Sequence, residues 1–185
     1  MPMTVIDLGR PTQGDVIDLI LEDHRRFEEM MRTIRDSGAD RDAARRAFAS
    51  LHVAHALAEE ELVYPKLRRK DAIDAHEAEH SEEEHAEGNE ALLALLELKG
   101  TGTQAFDDAV EKLAEVVNHH LTEEELTVLN PAREEVGEQV RADLGAAFAE
   151  RRNQLLDEGC GSVEQVRELV EKARAEGKLD DSDDE

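Results

Sequence analysis

Apolar positions recur at helical spacing in four long stretches of the chain and in two shorter ones after them. The first holds Val16, Leu19, Ile20, Phe27, Met31 and Ile34, with His24 in the same stripe. A period near 3.6 with polar residues opposite marks an amphipathic helix. Asp15 can accept from the first free amides, which makes it the expected N-cap, and Ser37-Gly38 is the expected stop. A second helix is expected from about Asp42 to Leu67, with Phe48, Leu51, His55, Leu62 and Val63 inward. Pro65 falls near its end, where a proline is tolerated. The third, from about Ile73 to Leu98, is polar in its first half and carries Leu92, Leu93, Leu95, Leu96 and Leu98 in its second. Gly100-Thr101-Gly102-Thr103 breaks it. The fourth runs from about Phe106 to Asn130, with Val110, Leu113, Val116, Val117, His120 and Val128 on its apolar face. Four such helices joined by short connections predict an all-α, up-down four-helix bundle.

Past Pro131 the pattern continues with additional C-terminal helices. Leu144, Phe148, Leu155 and Leu156 suggest a fifth helix packed across the bundle. Gly159-Cys160-Gly161 breaks the chain, and Ser162 can cap a short helix holding Val163, Val166, Leu169 and Val170. The expected organisation is an arm over 1–14, the bundle over 15–136, a helical extension over 137–179 and an acidic, solvating tail over 180–185.

Composition narrows the partners. The aromatic content is 3 %, with no Trp and one Tyr, and helix formers dominate, which agrees with an all-α chain. A net charge of −24 argues against nucleic acid or an anionic membrane surface as partner. No apolar run reaches membrane-spanning length, and MPMTVIDLGR lacks a signal-peptide pattern. The single Cys160 cannot build a disulfide framework, so a reducing cytoplasm is the expected compartment. The sequence sets no oligomeric state.

The chemistry is carried by two near-copies, His55-Ala-Leu-Ala-Glu59-Glu60-Glu61-Leu62-Val63-Tyr64-Pro65 and His120-Leu-Thr-Glu123-Glu124-Glu125-Leu126-Thr127-Val128-Leu129-Asn130-Pro131. Positions i and i+4 lie about 40° apart around a helix and one turn apart along it. Each copy therefore projects one imidazole and one carboxylate toward the same place. Taken singly, a histidine on an apolar stripe is better explained as a core residue satisfied by a neighbouring acid. His24, His55 and His120 in phase on separate helices, two of them with a glutamate at i+4, favour a metal site instead.

The third helix offers His76, His80 and His85. His85 lies seven residues before Leu92 and shares its side, whereas His80 points about a third of a turn away and His76 nearly opposite. Phase favours His85 inward and the other two solvated. His119 reads as a surface or outer residue. His52 can hydrogen-bond a ligand or sit at the rim, and Glu28, four after His24, invites the same remark. Glu60 and Glu125 read as solvated charge.

These residues together resemble the hemerythrin-like family, the HHE cation-binding domain. The resemblance rests on Asp23-His24-Arg25-Arg26-Phe27-Glu28, on the His55-x3-Glu59-Glu60 helix ending Tyr64-Pro65, and on His120-x3-Glu124-Glu125. It covers about residues 15–136. It implies a four-helix bundle around two non-haem iron ions joined by an oxo or hydroxo bridge. Glu59 and Glu124 resemble its bridging carboxylates, and His24, His55, His85 and His120 its terminal ligands. Oxygen-carrying hemerythrins place an i, i+4 histidine pair on the third helix and an aspartate five after the fourth-helix histidine. Here His76 and His80 are out of phase, and Glu124 stands four after His120.

Structural zinc takes four ligands, usually including thiolate, whereas six imidazole and carboxylate ligands suit iron or manganese. Two octahedral ions need about twelve positions. The bridges and four histidines leave two of these for water, O2, peroxide or NO, whereas a fifth histidine leaves one, the arrangement suited to reversible O2 carriage. The expectation is a protein that binds or reacts with O2, peroxide or NO, with catalase- or peroxidase-like turnover. The alternatives are a non-catalytic O2 or iron binding, storage or sensing module, and a metal-free helical adaptor.

Overall fold

In the computed structural model, which describes residues 4–180, the amphipathic stretches fold as helices and no strand occurs among the described residues. Helices α1 (Val16–Arg35), α2 (Arg41–Ala58), α3 (Tyr64–Arg69), α4 (Ala75–Glu97) and α5 (Gln104–Glu124) are followed by α6 (Asn130–Glu135), α7 (Glu138–Asp157) and α8 (Val163–Ala175). The long helices close a ring, α1 against α2, α2 against α4, α4 against α5 and α5 against α1. Short connections make sequence neighbours antiparallel, the up-down arrangement. Side chains start them: Asp15, Asp40, Asp74, Thr103 and Ser162 accept from the free amides of α1, α2, α4, α5 and α8.

The second helical stretch ends at Arg69, two residues beyond the expected Leu67, whereas the fourth does not stop at Asn130 but runs past Pro131 to Glu135. A proline in an α-helix lacks an amide proton, and its ring crowds the carbonyl four residues back. Here each proline is preceded by a widened π-helical turn, Glu59–Val63 and Glu125–Leu129. The Tyr64 and Asn130 amides donate to Glu59 and Glu125, five residues back, so the helix opens where the ring needs room. Leu62, on the first of these turns, is only half-buried.

The bundle has two apolar halves. One is built on Phe27, Phe48, Leu92, Phe106 and Leu113, the other on Ile17, Ile20, Val63, Leu67 and Val128. Along each long helix, polar side chains lie between these halves and remain buried: Asp23 and His24, His55 and Glu59, Glu84 and His85, His120 and Glu124.

Helix α7 packs on α1 and α2, and α8 packs on α4. The extension is locked on at close range. A Cβ on Gly145 of α7 would lie 1.9 Å from the Gly14 carbonyl oxygen. Gly161 combines φ +92° with an approach of 2.6 Å to the Ser50 backbone. Gly145→Ala should therefore destabilise the chain by about 1–3 kcal/mol, as overpacking does. Gly100→Ala, with nothing within 4 Å, should leave the melting temperature nearly unchanged. A thermal melt of the two variants checks this. Among the described residues no helix is long and apolar enough to cross a membrane. Apart from exposed Asp180, the acidic run read as a tail lies outside the described residues.

Candidate metal centre

Four helices bring four imidazoles into the buried polar layer: His24 from α1, His55 from α2, His85 from α4 and His120 from α5. Glu59 opens the first π turn and Glu124 closes α5. Donor atoms of Glu59, His85, His120 and Glu124 all lie within 4.8 Å of one another, as do those of His24, His55 and Glu124. Glu124 belongs to both groups. Within the copies, His55 Nε2 is 2.6 Å from Glu59 Oε1 and His120 Nε2 is 3.8 Å from Glu124 Oε2. Across the bundle, His24 Nε2 is 3.0 Å from Glu124 Oε1 and His85 Nε2 is 3.7 Å from Glu59 Oε1.

The other nitrogen of every ring is engaged by an outer carboxylate. His24 Nδ1–H donates to Glu125 (3.0 Å), His55 to Asp23 (2.9 Å), His85 to Glu60 (2.8 Å) and His120 to Glu84 (2.8 Å). Such a contact fixes the ring and directs Nε2 to the centre, the arrangement that metal-binding histidines use. The pattern repeats around the bundle. The acid just before each histidine of α1 and α4 holds the histidine of α2 or α5. The glutamate just after Glu59 or Glu124 holds the histidine of α4 or α1. Sequence reasoning read Glu60 and Glu125 as solvated charge; they are partly exposed, yet each holds a ring. It gave Asp23 and Glu84 no role, although the repeated acid-histidine pair was visible.

The inner atoms suit a cation. His55 Nε2, Glu59 Oε1 and His120 Nε2 are buried and make no well-directed hydrogen bond among the described residues, although the first two lie 2.6 Å apart. Buried polar atoms are rarely left so, and imidazole nitrogen with carboxylate oxygen is a donor set that iron, manganese and zinc accept.

Electrostatics among these side chains are strongly biased. Burial opposes charge at each, but Glu59 and Asp23 push His55 up to about 10. Against the same burial, Glu124 and Glu125 raise His24, and Glu60 raises His85. For His120 burial wins, and its affinity for a proton falls despite Glu84. Burial and the Glu124 charge raise Glu59. Burial is overcome at Glu124, which His24 and His120 hold well below the usual carboxylate range. Tyr64, the first residue of α3, donates from its hydroxyl to Glu124 (2.5 Å) and lies 3.3 Å from both Glu59 and His85 Nε2. Burial and these carboxylates raise it well above an ordinary phenol, so the hydroxyl keeps its proton.

Residues 15–131 match the family described as the hemerythrin HHE cation-binding domain, well over half of the chain. The chain belongs to the hemerythrin HHE family. No curated protein and no solved structure matches it. The HHE match takes in all six inner residues and ends at Pro131, leaving α7 and α8 beyond it.

The remaining histidines lie around the HHE cage. His76 is exposed, as is Glu28. Half-exposed His80 and exposed His119 reach Glu84 Oε1 at 3.4 and 3.2 Å, so both bear on the acid that holds His120. His52 is buried and makes no hydrogen bond to Glu59; its ring stacks on Phe48, and burial lowers it to about 3. With Phe27, Gly88, Val117, Leu121 and three cage histidines it lines a void of about 10 Å³.

Proposed function

We propose that His24, His55, Glu59, His85, His120 and Glu124 hold two iron ions, and that the centre binds or reacts with O2, peroxide or NO. The observation that carries this reading is the double engagement of each histidine, Nδ1 on an outer carboxylate and Nε2 toward Glu59 or Glu124. A core histidine that is merely satisfied needs one acid, not two on opposite nitrogens. The two donor groups sharing Glu124 support two positions rather than one. When bound, two irons would supply the electrons for binding or reducing such small oxidants.

The neighbouring void supports a small ligand. Its volume of about 10 Å³ is the room of roughly one water, too little for an organic substrate. Phe27, Val117 and Leu121 make its wall largely apolar, which suits a neutral diatomic or peroxide. Tyr64 Oη donates to Glu124 and does not line the void, so its part is to orient the shared carboxylate. Four cage histidines rather than five would leave two positions on the ions, which favours peroxide turnover over simple carriage. The free, buried Cys160 fits a cytoplasmic setting.

Elemental analysis of iron-loaded protein, read beside its optical spectrum in air and after peroxide, tests the proposal. Two irons per chain and peroxide loss above that of free iron are expected. A single tetrahedral zinc would end the reading. A spectrum that bleaches on deoxygenation and returns in air, without peroxide loss, would make the protein a carrier or sensor.

A further inference from the structure

Arg152 lies on α7, beyond the HHE match, and is fully buried. An unpaired guanidinium there would be very costly, yet all five of its donors are used. Nε and Nη2 grip Asp23 through both carboxylate oxygens, each at 2.8 Å. Nη1 donates to the Gly9 carbonyl and to Asn153, and Nη2 also donates to the Leu8 carbonyl. Asp23 Oδ2, which accepts from Arg152 Nε, also accepts from His55 Nδ1 at 2.9 Å. The chain of contact therefore runs from the extension through Asp23 to a cage histidine.

The two halves of the cage differ at this point. His55 is held by an acid in a bidentate fork with a permanent cation. His120 is held by Glu84, whose other contacts are the half-exposed His80 and the exposed His119. A planar fork fixes the plane of a carboxylate as a single ammonium cannot. Arg26, the other arginine on Asp23, touches only Oδ1.

We infer that Arg152 is a positioning residue of the metal centre, fixing Asp23 so that His55 Nε2 is aimed at the ion shared with His24. Residues 137–179 are then part of the centre and not an appendage to it. The inference rests on the metal reading above.

The test titrates the full-length chain anaerobically with Fe²⁺ against a chromogenic chelator and records the melting temperature of each variant. Arg152→Met removes the fork and keeps much of the volume. It should weaken one of two binding steps by about 10–100-fold, the usual cost of losing an outer partner of a metal ligand, and leave the other step within about threefold. Arg152→Lys should restore the charge and only part of the affinity. Arg141→Met is the control. Arg141 also ties α7 down, through Asp15 and the Arg133 and Val136 carbonyls, without touching the cage. It should lower the melting temperature and leave both steps unchanged. Two unaltered binding steps in Arg152→Met beside a lowered melting temperature would make Arg152 a structural staple and overturn the inference. Equal weakening of both steps would overturn it too, as would loss of fold in both Arg152 variants. A wild-type chain that binds no iron defeats the metal reading itself, and the inference with it.

Discussion

Glu124→Ala should strip the centre of metal at both positions. Glu124 is the one residue present in both donor groups. Its Oε1 faces His24 and its Oε2 faces His120, on opposite sides of the cage. Removing it takes away a donor from each position and half of the inner negative charge that two cations would meet. The loss should exceed about 100-fold in affinity, the upper figure for losing an outer partner alone. Glu59→Ala should act in the same direction. Glu125→Gln tests the gradation, because it spares both inner carboxylates and removes only the charge of the acceptor that holds His24 Nδ1. It should weaken binding by about tenfold. His85→Ala should weaken binding markedly and His76→Ala hardly at all, since His85 sits in the cage and His76 is exposed. Elemental analysis after equilibration with a chelator reads all of these. Full metal content in Glu124→Ala would refute a shared carboxylate.

What could be read from the chain was what repeats with a helical period. The stripes from Val16 to Ile34 and from Val110 to Val128 named the faces that are buried, because a helix has one apolar side to hide. Two i, i+4 histidine–glutamate pairs, the place of His24 on the first stripe and the phase of His85 with Leu92 named the six residues that meet in the buried layer. Local periodicity did not show what the second nitrogen of each ring would find. Glu60 and Glu125 follow cage residues directly and lie at the bundle edge, so polarity alone assigned them to solvent. Their role needed a neighbouring helix at a definite height. Periodicity puts Pro65 near a helix end and Pro131 beyond one, whereas the π turn before each proline lets the helix run on. Arg152 had no local signal at all. It meets Asp23 where α7 packs on α1 and α2, with Gly145 at backbone range of Gly14, a tertiary contact that no window of sequence contains.

Stripping the metal should loosen the fold, and the effect should grow with pH. In the metal-free chain, the stability that His55 gains from Glu59 and Asp23 is fully present below its unfolded value of 6.5 and is lost as the pH rises to about 10. His24 and His85, also raised, act in the same direction. So does Glu59, whose proton the folded cage favours and whose removal leaves two carboxylates face to face. Asp23 and Glu124 are depressed, so their contribution is present above the ordinary carboxylate range and fades as the pH falls through it. His52 and His120 are lowered and so cost stability as the pH falls below 6.5, and the metal-free chain should therefore be most stable at about pH 6–7. A cation reverses the upper limb. It replaces the protons on the cage, so its affinity climbs as His24, His55 and His85 give theirs up. At free metal about 1,000-fold above its dissociation constant the stabilisation is about 4 kcal/mol, or roughly 10 °C for a chain of this size. The gap between loaded and stripped protein should widen between pH 6 and pH 9 as measured by thermal melts. Calorimetric titration at pH 7 in buffers of different ionisation enthalpy should show protons released on loading. Equal melting temperatures at every pH, with no protons released, would mean that the histidines and glutamates of this layer satisfy one another and hold no cation.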